Sequence, residues 1–157
     1  MRQDQLGGSR GTTECFSSAG LAEGTNANTF KTVAPNGAGV DFAINGLAYH
    51  YADTDNVAMT AAALQADLTT CLYLVQIDAD GTVSTVKGDE VLTADLVAGA
   101  KVLHWPQPAA GNCPIGAIKV KNIAGTFTAA STDLGAGTVT DSYYNFAGGM
   151  PASPLVL

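Results

Sequence analysis

Residues 40–51 read Val-Asp-Phe-Ala-Ile-Asn-Gly-Leu-Ala-Tyr-His-Tyr. Asn45-Gly46 stands between two strand-like runs, and a two-residue type I′ turn needs positive φ at both central positions, which Asn and Gly tolerate best. That loop length fixes a register in which Ile44 faces Leu47, Phe42 faces Tyr49 and Val40 faces Tyr51. The large side chains then share one face, while Asp41, Ala43, Ala48 and His50 share the other. One side of this hairpin is expected to be core. His50 is expected to lie opposite Asp41 as a weak cross-strand pair.

The same reasoning extends outward. In residues 71–88, CLYLVQIDADGTVSTVKG, two β-rich runs flank Asp78-Ala79-Asp80-Gly81. A type I turn followed by Gly81 in the left-handed region closes such a loop with a bulge. Further runs at 102–105, 115–123, 126–130 and 139–146 read as strands, and in IGAIKVKNI the alternation sends Ile118 and Val120 inward and Lys119 and Lys121 outward. Residues 105–116, WPQPAAGNCPIG, hold three prolines and are expected to be an extended loop, because Pro removes ladder donors. Val57, Ala61, Leu64 and Leu68 recur at helical spacing behind capping residues, which predicts one short helix over about 58–67. Short strands punctuated by Gly, Pro, Asn and Asp predict an all-β fold, an antiparallel sandwich or barrel.

Upstream, residues 1–31 show neither period 2 nor period 3.6 and carry only isolated large apolar side chains. They predict an extended N-terminal arm, with 1–37 outside a β-domain at 38–157. Phe16, Leu21 and Phe30 are its candidate anchors on a neighbouring subunit.

Composition restricts the partners. Only 13% of the 157 residues are charged, against about 25% in an ordinary domain, and the net charge is -7. The arm holds three bases and three acids, so the acidic excess lies in the β-domain. Nucleic-acid binding requires clustered Lys and Arg to displace counterions, which argues against it here. No apolar run reaches the length of a membrane span, and MRQDQLGGSR lacks the apolar stretch of a signal peptide, so a soluble chain is expected.

Chemistry-bearing residues are sparse. Cys15, Cys71 and Cys113 are odd in number and lack a motif spacing, so free thiols are expected, with a Cys71–Cys113 pair left to geometry. His50 and His104 stand singly and suggest neither a metal site nor a catalytic base. DTDN at 53–56 and DADG at 78–81 do not complete a calcium-loop pattern; DADG reads as a turn, and Asp53 with Asp55 is the remaining weak calcium candidate. GAG at 135–137 lacks the Lys and the strand-to-helix context of a phosphate loop. The sequence thus predicts no enzyme activity, no catalytic or metal residues and no cofactor.

The runs YLVQIDADGTV, CPIGAIKVKN and FTAASTDLGAGTVTDSYYN together resemble small head-associated proteins of tailed bacteriophages. In that group a Pro-(Ile/Leu)-Gly-x-Ile-x-Val strand, here Pro114 to Val120, precedes a Phe, a Thr-rich turn and a final Val-Thr-x-x-Tyr strand, here Val139 to Tyr143. The resemblance covers residues 38–146 and rests on structural residues. It implies a capsid decoration protein made in the host cytoplasm and located on the virion surface, bound to the major capsid protein. Separately, a domain with so few charges is expected to self-associate, as a trimer, so that several weak patches act together. A receptor- or glycan-binding module of a fibre or tail is the competing class, which exposed aromatic rings would favour.

Overall fold

The computed structural model describes residues 11–156, which build an all-β fold of three antiparallel sheets and one short helix. The strands are β1 (Glu14–Cys15), β2 (Leu21–Glu23), β3 (Thr29–Thr32), β4 (Val40–Ile44), β5 (Leu47–Tyr51), β6 (Thr54–Ala58), β7 (Thr69–Ile77), β8 (Val83–Lys87), β9 (Val91–Leu92), β10 (Cys113–Asn122) and β11 (Val139–Asn145). Helix α1 (Thr93–Val97) follows β9. The central sheet runs β11-β10-β7-β8, with β9 pairing β7 beyond a break in the edge at Gly88, whose N–H bonds Leu72 O at 2.8 Å. Two three-stranded sheets, β1-β4-β5 and β2-β3-β6, pack against it as a sandwich.

Both hairpins form as their turns dictate. In the first, Asn45 and Gly46 take φ of 52° and 80°, and the register pairs Val40 with Tyr51, Asp41 with His50, Phe42 with Tyr49 and Ile44 with Leu47. Phe42 and Tyr49 stack with centroids 5.6 Å apart. In the second, Gly81 takes φ 82°, its N–H bonds Asp78 O at 3.2 Å, and the Asp78 carboxylate accepts the N–H groups of Asp80 and Thr82.

Strand β7 is buried along all nine residues because both faces of the central sheet are covered. Cys71, Tyr73, Val75 and Ile77 meet Ile118 and Val120 of β10 and the side chains of the two smaller sheets. On the opposite face, Leu72 packs with Val91, Leu96 and Leu103, and Leu74 with Ala117 and Phe146, under α1, the Trp105 segment and the C-terminal residues. An unbroken apolar run is what a strand buried on both faces requires.

Several expectations are corrected. Residues 14–32 are not an arm apart from the domain: they form β1, β2 and β3. Leu21 and Phe30 lie in the main core, Phe30 with no exposed surface, so they anchor their own chain; Phe16 alone of the three is exposed. Residues 1–10 of the predicted arm lie outside the described residues. The stretch 58–67 is not helical. Its Met59 is buried in the main core, and Gln65 forms an isolated bridge with Phe127, so tertiary contacts override the helical spacing. The helix lies instead at 93–97. The runs at 102–105 and 126–130 contribute only isolated bridges, Leu103 with Leu155 and Phe127 with Gln65. Cys71 does not pair with Cys113. In the β7–β10 register Cys71 faces Val120 and Cys113 faces Ile77, offsetting the two by roughly 20 Å along the strands, beyond disulfide reach.

Candidate interaction surface

One end of the central sheet carries an apolar rim. Register pairs Lys121 with Thr70 and Thr69 with Leu92, so Leu68 before β7, Leu92 at the end of β9 and Ile123 after β10 emerge at the same end. Their exposures are 58%, 51% and 44%. Val97 on α1 and Leu64 before β7 are also exposed. Leu68 adopts φ 57°, a left-handed conformation unusual for a branched side chain, while its carbonyl accepts the Thr93 N–H at 2.9 Å. The local fold thus holds a left-handed backbone and leaves a leucine in water at the same position.

Beneath the rim, polar groups lock the sheet rather than face solvent. Gln65 is fully buried; its Nε2 donates to Thr69 O at 3.2 Å and Val120 O at 3.0 Å, and its Oε1 accepts the Tyr73 hydroxyl at 3.2 Å. Burial raises the Tyr73 phenol well above its ordinary value, which keeps it a neutral donor. Sequence reasoning missed this role because Gln65 sat inside the expected helix. Asn122 Nδ2 donates to Ala66 O at 3.1 Å and Gly125 O at 2.8 Å, fixing the loop beside Ile123.

Trp105 occupies the opposite face of the central sheet from the main core. Its indole N–H donates to Ser153 O at 2.7 Å, and Tyr144 and Phe146 meet it edge to face at 5.8 and 5.4 Å. A shallow open groove of about 370 Å³ lies between His104, Gln107, Met150 and Pro154, with Trp105 in its wall. The ring therefore clamps the C-terminal segment onto the sheet.

The remaining candidates have local structural duties. His50 Nδ1 lies 2.8 Å from Asp41 Oδ1, both exposed. The Asp53 carboxylate accepts the Ala34 N–H at 2.8 Å, whereas Asp55 accepts the hydroxyl and N–H of Thr25 and the N–H of Asn56. Those bonds from Thr25 hold the Asp55 carboxyl below the usual range. Among the described residues no three His, Cys, Asp or Glu side chains group as metal ligands. Burial pushes the Cys15 thiol up to about 11 and the Cys71 and Cys113 thiols up to about 12, so none is a thiolate nucleophile near neutrality. No helix among the described residues is long and apolar enough to cross a membrane.

No protein-family model, curated protein or solved structure matches this chain.

Proposed function

We propose that this chain is a virion structural protein that decorates a capsid by binding the shell of major capsid protein. The observation that carries the reading is the rim of Leu68, Leu92 and Ile123 at one end of the central sheet. A protein with few charges attaches best through apolar and backbone contacts, which form the centre of stable interfaces. Exposed Phe16, on the segment just after β1, supplies a further contact outside the rim. Trp105 supports this reading over a saccharide platform, because its N–H and its packing neighbours already hold the C-terminal segment.

The test is purification of particles made with and without this chain, followed by its stoichiometry to the shell protein. A decoration protein is present at a fixed ratio comparable with the shell protein and stays bound in 1 M salt, where the Debye length falls to about 3 Å. Leu68→Asp or Leu92→Asp releases it. A few copies per particle, or release by salt alone, would overturn the proposal.

A further inference from the structure

The outer edge of β5 is open and self-complementary, and we propose that it pairs with the same edge of a second copy of this chain across a two-fold axis at Tyr49. In a two-residue hairpin the pairs Ile44–Leu47, Phe42–Tyr49 and Val40–Tyr51 exchange the ladder bonds, so the N–H and C=O groups of Ala48 and His50 point away from β4. Strand β4 shows the complementary pattern, since its opposite edge is taken by β1: Phe16 N–H bonds Asp41 O at 2.8 Å, and the Asp41 N–H bonds Ser17 Oγ. Among the described residues no backbone or side-chain group bonds the outward groups of Ala48 or His50, and both residues are exposed.

The sequence of β5 fits its own reverse. An antiparallel pairing centred on Tyr49 sets Ala48 against His50 of the second copy and His50 against its Ala48, so each copy donates two backbone bonds and accepts two. Leu47, which is 64% exposed, then faces the second copy's Tyr51 on the apolar side, and Tyr49 faces Tyr49. On the polar side each His50 faces an alanine and keeps Asp41 as its hydrogen-bond partner, so no like charges meet. The edge carries no Pro, Lys or bulge, the usual devices that keep such strands apart. Pairing joins two β1-β4-β5 sheets into one continuous sheet. The operator of this pairing is two-fold. A five-residue edge alone buries less than the roughly 1,000 Å² of a stable interface, so the pair forms at high protein concentration or when copies stand side by side on a shell.

The test uses full-length protein. Sedimentation velocity from micromolar to millimolar concentration should show a reversible monomer–dimer equilibrium. Ala48→Pro removes only an outward N–H, leaves the β4 ladder intact, and should weaken association about tenfold or more. Register is read by cross-linking. An oxidised mixture of Ala48→Cys and His50→Cys proteins should give a disulfide heterodimer, because facing Cα atoms lie about 5.5 Å apart. Either variant alone should give little dimer, and the native thiols are buried and do not compete. A chain that stays monomeric at millimolar concentration, an Ala48→Pro dimer as strong as wild type, or cross-linking of single variants as efficient as of the mixture would each overturn the pairing.

Discussion

Replacing Gln65 by Leu tests whether a buried amide, rather than apolar packing alone, holds the central sheet to the rim. The side chain has no exposed surface and makes three bonds. Leucine leaves the Tyr73 hydroxyl unpaired in the core, at a cost of about 1–3 kcal/mol, and removes two donated bonds worth about 0.5–1.5 kcal/mol each. The two carbonyls lie at residues that are paired within the sheet, which limits their loss. The sum, about 2–6 kcal/mol, is a large fraction of the stability of a domain this size. Urea unfolding followed through Trp105, the single tryptophan, measures it directly. Adding Tyr73→Phe to Gln65→Leu should recover about 1–2 kcal/mol, because the orphaned hydroxyl is gone, whereas Tyr73→Phe alone should destabilise. A Gln65→Leu protein within about 0.5 kcal/mol of wild type, or strictly additive single changes, would refute the network.

Other expectations follow from the same geometry. Phe30→Ala should cost about 3–5 kcal/mol, whereas exposed Phe16→Ala should leave the unfolding midpoint nearly unchanged and act only on particle attachment. Gly116→Ala should destabilise strongly, because an added Cβ would lie 2.3 Å from Leu21 Cδ1 and 2.4 Å from Tyr144 O; unchanged thermal stability would contradict the close packing of β2 on the central sheet. A thiol reagent such as Ellman's should find no reactive cysteine in native protein at pH 8 and all three in denaturant. The folded-state pKa of Asp55 lies below its ordinary value, so its contribution is complete above the usual carboxylate range and fades as pH falls through the lowered value. Asp55→Asn should flatten that acid limb of stability.

The amino-acid sequence by itself determined the two hairpins. Asn45-Gly46 and Asp78 to Gly81 carry their backbone geometry in a few adjacent residues, and turn geometry fixes register before any distant contact forms. The burial of β7 was half legible. Its apolar run announced a strand, but only the tertiary structure showed that α1, the Trp105 segment and the C-terminal residues cover its second face. Residues 14–32 were illegible as strands because β1, β2 and β3 span two, three and four residues, too short for a period of two to declare itself. Their membership is decided by partners far along the chain, such as Asn145, whose Oδ1 accepts the Leu21 N–H at 2.8 Å. Helix α1 escaped for the same reason, since five residues with no side-chain cap carry no periodic signal. The apolar rim was likewise invisible. Leu68, Leu92 and Ile123 are scattered in sequence, and only the pairing of β7 with β9 and β10 brings them to one end of the sheet.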